Sequence, residues 1–145
     1  MRGDALFTWT DSLSMDRALG IITMRGSTRL VHRDPTGSTF AEVEGDTLTA
    51  RMSEDAPQGP LMLEAPFKGQ FLGAVVSGSA WLRHDGRELV ADALSYDAMK
   101  RTVDANALPG RVVTLLDPSQ PAPTAAQRIF WDLANDRIDV TSLSR

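Results

Sequence analysis

The sequence predicts an all-β chain, an antiparallel, open-ended β-jelly roll built from repeated hairpins, and three observations carry that prediction. First, the apolar period is two along the candidate strands, with a recurring slip of one residue. Leu89 and Ala91 share one face, and Leu94 and Tyr96 continue it one position out of phase; the same slip separates Val43 and Gly45 from Leu48 and Ala50. Second, a short pattern recurs as TDSLSM (10–15), GDTLTA (45–50), ADALSY (91–96) and AQRIFW (126–131). Its second positions, Asp11, Asp46, Asp92 and Gln127, are spaced by 35, 46 and 35 residues, the spacing of two similar halves. Third, the joints between apolar stretches spell turns. A phase slip at a fixed place in a repeat is what a β-bulge produces, so the Asp-containing motif is expected to mark a bend where each strand turns a corner.

Taken in order, the elements follow from local chemistry. Three motif copies end on Asp16, Asp97 and Asp132, and a β-branched residue follows six positions later at Ile22, Val103 and Ile138. The residues between, RALG, AMKR and LAND, read as hairpin turns whose leading Asp accepts backbone N–H groups just ahead of it. HRDPTGST joins TRLV to FAEVE by Asp-Pro and Thr-Gly turn chemistry. Asp85-Gly86 joins AWLR to LVAD and is the strongest short-range hairpin signal in the chain. The Pro-rich LLDPSQPAPT ends any ladder after Leu116. The segment 53–69 carries three prolines and reads as an insertion or crossover within a single domain spanning 1–145. One helix competes with this scheme: TAAQRIFWDLAN has the capping-box spelling of Thr124 and Gln127, although the repeat places it as the fourth strand copy.

Composition narrows the function. The chain has 145 residues, 42% of them apolar, enough for a sizeable core. A net charge of −4 with acids and bases interspersed gives no basic stripe, so no nucleic-acid partner is expected. There is no Cys, hence no disulfide, thiolate metal site or Cys nucleophile. No P-loop, G-x-G-x-x-G or G-x-S-x-G spelling occurs. No apolar run approaches a membrane span, and MRGDALFTWT has neither an apolar signal core nor a cleavage site, so the chain is expected to be a cytoplasmic protein, a mature form or a fragment. The tripeptide Arg2-Gly3-Asp4 is too short to specify adhesion, and Arg83, Arg87, Lys100 and Arg101 read as a solvated face before they read as an anion site.

Two features remain. GSTRLVH (26–32) and GSAWLRH (78–84) share Gly, Ser, Leu and His at the same offsets and contain the only two histidines. A zinc site wants three or four ligands, so His32 and His84 read as equivalent residues of a unit used twice, with no metal, cofactor or catalytic residue expected. The apolar stripe says more. Leu13, Met15, Ile22, Leu30, Val43, Leu48, Leu82, Leu89, Leu94, Tyr96, Ile129 and Trp131 are expected on one side of the bent sheet, as a closed core or as a groove for apolar ligands.

The series GSAWLRHDGRELVAD, ADALSYD…RTVDA and AQRIFWDLANDRIDV resembles the OstA-like domains of lipopolysaccharide transport, over roughly residues 9–52 and 73–142. That resemblance implies a V-shaped jelly roll of two antiparallel sheets and makes the twelve residues of the stripe ligand-binding, around the acyl chains of a lipopolysaccharide-type lipid. It further implies edge-to-edge pairing with other OstA-like domains, a location in the periplasm or cell envelope, and no catalysis. Two alternatives stand beside it: a structural or adhesion repeat with a closed core and no ligand, and a hydrolase using scattered Asp and Glu.

Overall fold

The structure, a computed structural model, describes residues 4–36, 38–53 and 71–141. Except for Ser53, the segment read as an insertion or crossover lies outside the described residues. The described residues form eleven strands and no helix: β1 (Asp4–Thr8), β2 (Ser12–Asp16), β3 (Ile21–Arg33), β4 (Thr39–Met52), β5 (Phe71–His84), β6 (Arg87–Asp97), β7 (Thr102–Asn106), β8 (Val113–Leu116), β9 (Thr124–Ala126), β10 (Arg128–Asp132) and β11 (Arg137–Thr141). All pair antiparallel in one sheet that does not close on itself. The capping-box alternative fails at Gln127. Its side-chain amide donates across the sheet to the Ala107 carbonyl at 2.8 Å, leaving β9 and β10 as strands.

Register divides the sheet into two arms. The first half of β3 pairs with β2 and the second half with β1; likewise β6 pairs with β7 through Ala93–Asp97 and with β8 through Glu88–Val90. One arm therefore runs β2, β3, β4, β5, β6, β7, β10, β11, and the other β1, β3, β4, β5, β6, β8, β9. The long strands β3 to β6 belong to both arms and cross a corner between them.

The corner explains both sequence repeats. Between Arg25/Thr47 and Thr28/Gly45, two residues of β3, Gly26 and Ser27, face one of β4, Asp46. Between Ser77/Ala93 and Ala80/Ala91, Gly78 and Ser79 of β5 face Asp92 of β6. This two-against-one count defines a bulge; the Asp motif marks the corner as the sequence suggested, and the extra residue sits opposite it, in Gly-Ser. The reason is backbone conformation. Gly26 and Gly78 have φ of +87° and +79°, a region where glycine carries no Cβ penalty, and Ser27 and Ser79 follow at +43° and +51°. The motif carboxylates fill the space a Cβ would take: an added Cβ would stand 2.6 Å from Asp11 Cγ at Gly26 and 2.5 Å from Asp46 Oδ2 at Gly78. Asp92 accepts the Leu108 N–H at 2.7 Å and the Arg111 Nε–H at 2.8 Å. All four motif positions thus lie in one layer across the sheet.

The turns are as the residues dictate. Asp16 Oδ1 accepts from the Leu19 N–H, Asp97 Oδ1 from those of Met99 and Lys100, and Asp132 Oδ1 from that of Asn135, each near 3 Å. Asp85 and Gly86 both take positive φ, 52° and 77°, the conformation of a two-residue hairpin whose twist matches its strands.

The corner yields a stability test. Gly78→Ala is expected to cost about 2 kcal/mol through positive φ and the clash with Asp46. Gly86→Ala, with positive φ but open space around it, is expected to cost about 1 kcal/mol. Urea unfolding midpoints of the two variants check the order.

Candidate functional site

The two arms bury their facing sides against each other. Of the twelve stripe residues, ten are at most 1% exposed: Ile22, Leu30, Val43, Leu48, Leu82, Leu89, Leu94, Tyr96, Ile129 and Trp131. Leu13 and Met15, on the outer strand β2, are half-buried and pack against this core. Cross-strand register brings them into contact: Leu82 stands between Val43 and Leu89, and Leu48 beside Met24. Sequence reasoning missed Met24, Val76, Ala80, Val103, Val113 and Leu115, all buried on the same side. Val76 and Ala80 were findable, because they lie opposite Leu94 and Ala91 once Gly78-Ser79 is counted as the bulge.

Beyond the corner, the far ends of the arms meet in an aromatic seam. His32 and His84 each lie six residues past the bulge glycine; His32 is buried and His84 half-buried. His32 Nδ1 lies 2.6 Å from the Tyr96 hydroxyl on the opposite arm. Its ring meets Phe71 and Phe40 edge-on, and Phe7 of β1 meets Phe71 of the other arm at 5.8 Å. His84 donates from Nδ1 to the Phe40 carbonyl at 2.6 Å and stands edge-on to Trp131 at 5.5 Å. Two cations cover the rings from outside the seam. Arg87 lies 5.0 Å above Trp131 and pairs with Asp136, and Arg101 lies 5.3 Å above Phe40. The histidines are one unit used twice, as the repeat implies, but they are parts of the interior and not incidental to it.

Electrostatics follow burial. Burial, aided by the positive charge of Arg101, pushes His32 below its ordinary value, and burial pushes the Tyr96 phenol well above its own. Among the described residues no group of three or more His, Asp or Glu could hold a metal ion. The carboxylates serve structure. Asp92 is held below the ordinary range by the Leu108 N–H and Arg111, Asp117 by the Ser119 N–H and hydroxyl, and Asp132 by Asn135. Asp104 and Glu42 form surface ion pairs with Arg128 and Arg29, and Glu88 accepts from the Trp81 indole.

No family model matches this chain, and no curated protein matches it in sequence. Its fold, however, superposes on the crystal structure of LptH, the LptA-homologous periplasmic component of the conserved lipopolysaccharide transport device from Pseudomonas aeruginosa. The TM-score is 0.70 at 11% identity, over 96% of this chain and 82% of that one. The fold is OstA-like. The open all-β sheet of this chain thus shares its overall fold with LptH, reached by a sequence with little identity to it.

Two outcomes test the interior. Leu82→Ala is expected to cost about 3 kcal/mol, a fully buried cavity, and Met15→Ala about 1 kcal/mol or less, both read by chemical unfolding. Asp92, Asp117 and Asp132, with folded values lowered, stabilise the fold above about pH 4 and lose that contribution as pH falls through the lowered values; acid unfolding of Asp132→Asn is expected to be less steep than that of the unmodified chain.

Proposed function

We propose that this chain, acting as one domain, is a non-enzymatic periplasmic module of the cell envelope. It receives the acyl chains of a lipopolysaccharide-type lipid between its arms and passes the lipid on by docking edge to edge with like domains. The observation that carries the reading is the OstA-like fold itself, with an inner face made of apolar side chains on both arms. The chemistry is favourable. Each methylene taken from water gains about 0.8 kcal/mol, so ten methylenes supply about 8 kcal/mol. Among the described residues the sheet ends at β1 and β2 on one side and at β9 and β11 on the other, and β11 is exposed along nearly its whole length. An unpaired edge strand offers its N–H and C=O groups to another sheet, the chemistry of β-augmentation.

One observation favours a second reading, a structural module with a closed core: ten stripe residues leave no exposed surface to speak of. On the carrier reading the arms part to admit a lipid. Aspartate at Leu82 or Leu94 would unfold the core before reporting on any ligand, so the test uses the half-buried positions. A photo-crosslinking residue at Met15 is expected to capture lipid A, and the same residue at Val75, half exposed on the outer face, is not. Equal yields at the two sites, or none at either with native mass spectra free of lipid, would establish the closed-core module instead.

A further inference from the structure

The seam at the far ends of the arms holds a titratable contact that the carrier reading does not use. His32 belongs to the second half of β3, whose neighbours are β1 and the early half of β4; Tyr96 belongs to the late half of β6 on the opposite arm. Their bond of 2.6 Å therefore spans the two arms, four to six residues from the corner, where separation of the arms is least constrained by shared strands. With Nδ1 unprotonated, the Tyr96 hydroxyl donates to it. Among the described residues, other contacts across the seam are made by aromatic rings and cations: Phe7 and His32 with Phe71, His84 with Trp131, Arg87 with Trp131 and Asp136, Arg101 with Phe40.

We propose that the His32–Tyr96 contact is a protonation-sensitive latch: neutral His32 holds the arms together at their far ends, and protonated His32 parts them while the corner stays formed. Adding a proton turns Nδ1 from acceptor to donor, so the Tyr96 O–H loses its acceptor and the contact survives only if the phenol oxygen accepts instead. The same proton places a cation in a buried cage of Phe40, Phe71 and Tyr96. Among the described residues, the one charged group that acts on His32 in its lowered value is Arg101, from the β6–β7 turn, which repels the cation. Tyr96 stays protonated, His84 lies on the other side of the Phe40 ring, and Arg33 and Asp34 follow His32 along the chain. Asp97, the nearest acid in sequence to the latch, bears on the Tyr96 phenol. Opening to water is the available relief, and it exposes the inner apolar faces at their outer margin. The latch is a property of the chain alone and does not rest on the lipid reading.

The sign follows from the lowered folded value. The closed seam is fully stable above the ordinary histidine value of about 6.5, and it loses stability as pH falls below that value. Hydrogen exchange of the full chain between about pH 7.5 and about pH 5.5, corrected for intrinsic rates, reads it. Amides of residues 30–33 and 94–97 are expected to lose protection by up to about tenfold per pH unit below about 6.5, the limit for one proton, while residues 76–80 at the corner keep theirs. His32→Phe, which keeps a ring and removes the proton site, is expected to abolish the dependence. Unchanged protection at the seam, equal loss at seam and corner, or a His32→Phe variant that responds like the unmodified chain overturns the latch. Should that variant not fold, the unmodified chain decides: the His32 imidazole titration followed by NMR must share its midpoint with seam opening, and separate midpoints overturn the proposal.

Discussion

The rest of the structure depends on a single constraint: every long strand must bend in the same layer. Strands of 13 and 14 residues, paired along their whole length, cannot bend singly, because one bend out of line would break the ladder on both sides. The chain solves this by alternation. Strands that run one way place an acid or an amide in the layer, at Asp11, Asp46, Asp92 and Gln127; strands that return place loosened backbone there, at Gly26-Ser27, Gly78-Ser79 and the 107–112 connection. The carboxylate of one strand occupies the room left by the missing Cβ of the next, so tight packing and sharp bending come from the same pair of residues.

That bend decides what the interior can be. It folds one sheet over on itself, so that the inner faces of both arms meet as apolar surfaces, and most polar groups that enter find partners, Trp131 Nε1 and Arg33 Nε being buried without one among the described residues. Thr28 donates to the Gly45 carbonyl at 2.7 Å, His84 to that of Phe40, and His32 meets Tyr96. Charge stays outside, in turns and cross-strand pairs such as Arg29–Glu42 and Arg128–Asp104.

Much of this was legible in the sequence. The hairpins at Asp16, Asp85, Asp97 and Asp132 were readable because a turn is settled by three or four adjacent residues. The inward stripe was readable because period two survives on either side of the slip. What was not legible involves pairs distant in the chain. The phase slip shows in β4 and β6, yet the extra residues lie in β3 and β5, because a bulge belongs to a strand pair and a one-strand pattern cannot say which partner carries the surplus. The burial of His32 escaped for the same reason. Imidazole is tolerated inside only against a specific partner, and Tyr96 stands 64 residues from His32.

The alternation at the corner also bears on how such a sheet grows. Each carboxylate leans on the strand that follows it, Asp11 on β3, Asp46 on β5 and Asp92 on the β7–β8 connection, so the self-sufficient unit is two strands wide. Duplication of an outgoing strand together with its return would widen the ladder without disturbing the fold line. A solitary inserted strand would set glycine against glycine, or acid against acid, and leave the crease either hollow or self-repelling. Ladders of this type are therefore expected to differ from one another by even numbers of strands.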